Sequence, residues 1–259
     1  MSGIEHRLQL FIPPTNHRCL MVDTSAGLAL GALPGLGNYI QAVHPILSRS
    51  DGVVCSPGQI GKLGELHKED AGLLVRMDWT NTLRDKNFVI PVTKAQRIPI
   101  LTPEQAVDLG AAGMVTTFLL GYEEELEASC MVSTVQLALR GKELGMPLVV
   151  EVHTSGPRVS IPDKAVELGA SYALEGGADV IALPYPGRKS LETIGAFVSV
   201  PWLVKPTSLA TAQTELEEAL GLGCSGLWLE AAVFGQPDPT LFDRLMGTLH
   251  PVPVQMNEV

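Results

Sequence analysis

Eight short apolar runs, each followed by a longer stretch of helical pattern, recur along the chain, and this alternation restricts the fold more than any other feature. The runs span residues 19–23, 52–55, 72–78, 114–118, 148–153, 180–183, 202–204 and 226–229. Several are entered in the same way, through a helix end and a glycine: Leu109-Gly110-Ala111, Gly176-Gly177-Ala178-Asp179 and Leu222-Gly223-Cys224. Glycine closes a helix in a left-handed turn and lets the next strand begin within a few residues. The clearest helix, 123–144, opens on glutamates suited to a positive N-terminus and stops at Gly145 with Pro147 beyond.

Alternating strand and helix with no Pro/Gly/Ser-rich linker is the α/β signature of one continuous domain. An open doubly wound sheet has the same local pattern, but eight strands in 259 residues match one closed (β/α)8 TIM barrel. A single barrel domain over 1–259 is therefore expected. With 46% hydrophobic and 18% charged residues the chain can bury a large core. Its net charge of −10 and scattered Lys and Arg argue against a nucleic-acid partner, and slow anionic ligands unless the site has positive charge of its own. No run reaches 18 apolar residues and the first 20 lack a signal-peptide pattern, so a cytoplasmic protein without a membrane partner is expected. Cys19, Cys55, Cys130 and Cys224 lie far apart and read as reduced, buried thiols.

In such a barrel the C-terminal strand ends face the ligand, so polar residues that end apolar runs are the candidates. They are Asp23, Arg76 with Asp78, Glu151 with His153, Lys205, and Glu230. Two of these pairs stand at i and i+2, which sends both side chains to one strand face, here inward. Burying so many charges requires pairing, and Lys205 with Glu230 across neighbouring strands is the expected pair. Plainer roles compete: Asp23 capping the turn through Thr24-Ser25, Arg76 as counter-ion of Asp78, or the whole set as a salt-bridge network closing the mouth. Glu151 and His153 fit a general acid/base pair, part of a metal site, or a hydrogen-bonded wall. No strong metal-ligand spacing occurs, and no metal ligand and no cofactor is assigned. Asp78, Arg76, Glu230 and Tyr185 are the substrate-facing candidates. His6, His17, His44, His67 and His250 carry no motif. The irregular segment 80–102 forms an active-site loop or a small hairpin.

Several pieces, in this order and spacing, resemble the DeoC/FbaB/LacD aldolase superfamily, in particular its archaeal-type class I fructose-bisphosphate aldolases. They are Asp23-Thr24-Ser25, Ser50-Asp51-Gly52-Val53-Val54, Leu144-Gly145-Met146-Pro147-Leu148-Val149-Val150, Gly177-Ala178-Asp179-Val180-Ile181 and Phe234-Gly235-Gln236-Pro237-Asp238-Pro239. The resemblance implies a Schiff base between a substrate ketone and a lysine on the sixth strand, a position that here is Ala182. It also implies a proton donor on the fifth strand, here His153, and phosphate-binding turns after strands seven and eight. Those turns read Lys205-Pro206-Thr207 and Glu230-Ala231-Ala232; Pro206 lacks an N–H, and Glu230 repels an anion. Val204-Lys205-Pro206 is similar to the strand-seven lysine of deoxyribose-phosphate aldolases.

The resemblance thus implies a divergent carbon–carbon lyase acting on a small polar carbonyl compound, and a homo-oligomer. Lys205 is its Schiff-base or electrostatic residue, His153 and Glu151 move protons, and Asp23 and Asp78 position hydroxyls. Burial would lower the Lys205 pKa while Glu230 would oppose that shift. Two other readings stay open: a metal-assisted lyase or isomerase on the same carboxylates, and a barrel that binds or assembles without catalysis.

Overall fold

The eight runs become strands because β-branched and leucine side chains on both faces can all be buried, the outer face beneath helices and the inner face in a closed lumen. A computed structural model describes residues 2–33, 35–64, 71–230, 233 and 238–251. Strands β1 (Cys19–Asp23), β2 (Gly52–Cys55), β3 (Gly72–Arg76), β6 (Gly113–Leu119), β7 (Leu148–His153), β8 (Val180–Pro184), β9 (Trp202–Lys205) and β10 (Gly226–Leu229) form one closed parallel barrel. Each pairs with its neighbour in the chain, and β10 returns to β1 with Cys19 opposite Gly226 and Val22 opposite Leu229. The expected (β/α)8 barrel is the observed fold.

One strand is shorter than the run that predicts it. The run 72–78 breaks at Met77: β3 ends at Arg76, and β4 (Asp78–Thr80) leaves the barrel to pair antiparallel with β5 (Arg97–Pro99). Met77 still donates its N–H to the Val115 carbonyl at 2.8 Å, and Ile100 N–H returns to the Met77 carbonyl at 2.8 Å. The irregular segment therefore contains a small hairpin held beside the barrel mouth.

Side chains alternate between two apolar layers. Outward residues such as Leu20, Val22, Val53, Val75 and Val150 pack beneath the helices, among them α6 (Glu124–Leu144) and α7 (Pro162–Glu175). Inward, Met21, Val54, Leu74, Val115, Val149, Val180, Ala182, Leu203 and Trp228 fill the lumen together with Phe11 and Ile12. Phe11 follows α1 (Gly3–Leu8) and seals the end where the strands begin. There a Cβ on Gly72 would come within 2.8 Å of both Phe11 Cβ and the Leu10 carbonyl oxygen, so β3 must start on glycine. The four cysteines are buried free thiols. Among the described residues no helix is long and apolar enough to cross a membrane.

Candidate active site

Beyond the inward apolar side chains of five strands, and again at the start of the last loop, at the opposite end of the lumen from Phe11, the alternation places a polar one on the same face. Asp23 follows Met21, Arg76 follows Leu74, Thr117 follows Val115, Glu151 and His153 follow Val149, Lys205 follows Leu203 and Glu230 follows Trp228. The period of two that buries the apolar layer thus also gathers the charges.

They join into a chain of alternating sign across the mouth. Arg76 Nη2 lies 2.5 Å from Asp23 Oδ2, and Nη1 lies 2.7 Å from Glu151 Oε2. Glu151 Oε1 lies 2.9 Å from Lys205 Nζ, which lies 2.7 Å from Glu230 Oε1. His153 Nε2 sits 3.0 Å from Glu151 Oε1 and 3.4 Å from Lys205 Nζ. Arg76 also donates from Nε to Ser25 Oγ at 3.0 Å and from Nη1 to Thr117 Oγ1 at 3.1 Å. The expected Lys205–Glu230 pair is present, and Glu151 is a second carboxylate on the same amine.

Two plainer roles change. Asp23 does cap the turn, accepting from Ser25 N–H at 2.7 Å and Ser25 O–H at 2.6 Å, yet it also holds Arg76. Arg76 is not the counter-ion of Asp78, because the chain turns out of the barrel between them. Asp78 instead accepts from Arg97 Nε at 3.0 Å, Thr116 O–H at 2.7 Å, and the N–H and O–H of Thr117 at 2.6 and 3.0 Å. Its carboxylate borders the cavity but is taken up in tying the hairpin to β6.

Burial and pairing act against each other at every charge here. Burial pushes the Glu151 carboxyl up, but Lys205, Arg76 and His153 outweigh it and hold it well below the usual carboxylate range. For Lys205, burial alone would lower the pKa; Glu151 and then Glu230 overcome it, so the amine stays above its ordinary value and charged. The expected conflict resolves toward the cation because two carboxylates, not one, face the amine. Asp23 moves upward, since burial and the nearby Glu151 charge together exceed the pull of Arg76. Lys205 draws the Glu230 carboxyl down against its partial burial.

The cavity above this chain has a volume of about 340 Å³. Its polar lining is Asp23, Ser25, Arg76, Asp78, Thr117, Glu151, His153 and Glu230. Leu28, Leu30, Leu33, Trp79 and Leu83 supply an apolar lining. Lys205 touches three of the bordering residues without bordering the cavity itself. Tyr185 does not face the cavity, contrary to expectation: its hydroxyl bonds Glu218 on α9 (Ala212–Leu220), and burial and Glu218 push its pKa up to about 12. Ala182 lies opposite Glu151 and Leu203 in the apolar layer, fully buried.

Arg97 and the apolar wall are absent from the site residues that the sequence predicts. The alternation in Arg97-Ile98-Pro99-Ile100 was a usable strand signal for the first; the wall had none, being single apolar residues in short segments. Among the described residues no three His, Cys, Asp or Glu side chains converge to hold a metal ion. Ala231, Ala232 and the stretch 234–237 lie outside the described residues; Asp238 beyond them caps α10 (Pro239–Leu249) through Thr240 N–H at 2.9 Å.

Fold and site together define a (β/α)8 barrel with a buried ionic chain and an open cavity at the C-terminal ends of its strands. Residues 19–211 match the model of the DeoC/LacD family aldolases, and the chain belongs to that family. It is 26% identical over 232 residues to the 2-amino-3,7-dideoxy-D-threo-hept-6-ulosonate synthase of Halobacterium salinarum, covering 87% of this chain and 83% of that one. An archaeal fructose 1,6-bisphosphate aldolase superposes with a TM-score of 0.78 at 21% identity, over 96% of this chain and 99% of the other. A fructose-bisphosphate aldolase from Slackia heliotrinireducens superposes with a TM-score of 0.73 at 15% identity, over 94% and 84%. These two likenesses are likenesses of fold.

Proposed function

We propose that this protein is a divergent aldolase-type carbon–carbon lyase acting on a small polar carbonyl compound through an iminium on Lys205. The observation that carries the reading is the position of Lys205 Nζ, 2.9 Å from the counter-ion Glu151 and 3.4 Å from His153, a cavity-bordering imidazole able to take its proton. Ala182 offers no amine on β8. Glu230 is the partner that can leave at little cost, because its side chain is 54% exposed.

When substrate displaces Glu230, Lys205 passes a proton to His153, which returns it to the departing carbonyl oxygen. The amine's freed electron pair bonds the ketone carbon, and the carbonyl oxygen departs as water to give the iminium. His153 then takes the proton of the hydroxyl on the next carbon but one. That hydroxyl becomes a carbonyl, the intervening C–C bond breaks, and its electron pair enters the enamine. Protonation of the enamine carbon and hydrolysis free the second product and Lys205. Asp23, which borders the cavity beside Arg76, holds a substrate hydroxyl. Asp78 and Arg76 act at one remove, as the hairpin clamp and the counter-ion.

Borohydride reduction with a panel of hydroxyketones, followed by intact mass and peptide mapping, tests the iminium. The expected result is an adduct on Lys205 that vanishes in Lys205→Met. A second reading, a binding barrel without catalysis, is favoured by the amine's charged state and its absence from the cavity border. No adduct across the panel, at neutral and alkaline pH, would decide for it.

A further inference from the structure

We propose that the carbonyl compound taken by this cavity carries no phosphate and bears an apolar group beyond its reacting carbons. The inference rests on the aldolase-type reading of the site and names the substrate class. The cavity lining holds two unlike sets of residues: the ionic chain, which can meet a carbonyl and hydroxyls, and the apolar wall residues Leu28, Leu30, Leu33, Trp79 and Leu83. A sugar phosphate would leave that wall wetted, whereas an alkyl or aryl tail would cover it.

The wall is a fixed part of the site. Trp79 Nε1 donates to the Leu28 carbonyl at 2.9 Å, and Arg84 Nε donates to the Ala29 carbonyl at 2.8 Å. The Arg84 guanidinium also lies 5.5 Å from the centre of the Trp79 ring. The short helix α2 (Gly27–Leu30) and the hairpin are thereby fastened to each other, so their leucines meet a ligand without first being ordered.

Among the described residues an anionic group finds no free donor at the strand ends. After β9, Pro206 has no N–H and the N–H of Thr207 is already donated to Glu215 Oε2 at 2.8 Å; the Thr207 hydroxyl bonds the same carboxylate. Glu215 lies in the first turn of α9, so the chain's own carboxylate occupies the position at that helix end where an anion would be favoured. Glu230 stands beyond β10. Among the described residues the cavity is bordered by four carboxylates, Asp23, Asp78, Glu151 and Glu230, against one cation, Arg76. All three Arg76 nitrogens are engaged by Asp23, Glu151, Ser25 and Thr117.

Calorimetric titration tests this with three probes: 4-hydroxy-4-phenylbutan-2-one, the tail-less 4-hydroxybutan-2-one, and dihydroxyacetone phosphate. Benzaldehyde release is followed in parallel. The phenyl ketone is expected to bind about tenfold or more tightly than the tail-less one. Leu28→Asp, and independently Leu83→Asp in case the first misfolds, should erase that margin. Binding of the phenyl ketone without benzaldehyde release sustains the inference and removes the lyase reading. Phosphate-ester binding as tight as that of the phenyl ketone, or no margin over the tail-less ketone, overturns the inference whatever the cleavage result.

Discussion

Glu151 faces Arg76, His153 and Lys205 at once, so neutralising it changes three neighbours. Glu151→Gln would leave Lys205 with Glu230 alone, and burial would then weigh more heavily on the amine. The pH profile of borohydride trapping should accordingly move to lower pH by about one unit or more, since one unit corresponds to about 1.4 kcal/mol of lost charge interaction. An unmoved profile would mean that Glu151 does not set the charge of Lys205. Stability has its own sign. A carboxyl held below its unfolded value stabilises the fold above roughly pH 4, and that contribution is lost as pH falls through the lowered value. Urea melts of the wild type should therefore steepen in their decline below roughly pH 4, and those of Glu151→Gln should decline less. The inward pair Glu151 and His153 is legible in the sequence because strand geometry alone fixes its direction, whereas Arg76 and Asp78 are not such a pair, since the strand breaks at Met77. Which carboxylate Arg76 chooses is not legible, because Asp23 and Glu151 reach it only across a closed lumen.

The hairpin shows the same division one level up. Met77-Asp78-Trp79-Thr80 continues the apolar alternation of β3, and nothing local marks the break. The chain leaves the barrel because Asp78 is met by Thr116, Thr117 and Arg97, partners distant in sequence that together satisfy a carboxylate only 2% exposed. The other seven strands were placed to within a residue or two, since buried runs entered by glycine are recognisable wherever they occur. Arg97→Leu would leave the Asp78 charge buried without its counter-ion, at a cost of about 3–5 kcal/mol. We expect hydrogen exchange to quicken first in segment 78–100, and apolar-ligand binding to weaken, because Trp79 and Leu83 move with it. Uniform quickening over the whole barrel would instead make Asp78–Arg97 a support of the global fold.

At the scale of the whole molecule, the barrel is closed twice, sideways by β10 on β1 and from below by Phe11. Phe11→Ala should cost about 3–5 kcal/mol, read as a lowered urea midpoint with an unchanged slope. A change in slope would indicate that the barrel opens at its floor rather than losing contacts there. Length, strand count and inward polar ends made this architecture readable from sequence. The floor was not readable, because residues 9–12 carry no pattern that distinguishes a plug from a linker.

That floor has a consequence for how the chain is made. Phe11 leaves the ribosome long before Gly113, against which its ring rests 3.4 Å from where a side chain would begin. Through that interval a bare aromatic ring and the unpaired edge of β1 travel together on the nascent chain, with their partners still unsynthesised. The part of the barrel translated first is thus among the last to be sheltered, and a stall in translation before β10 would leave β1 open to any other strand nearby.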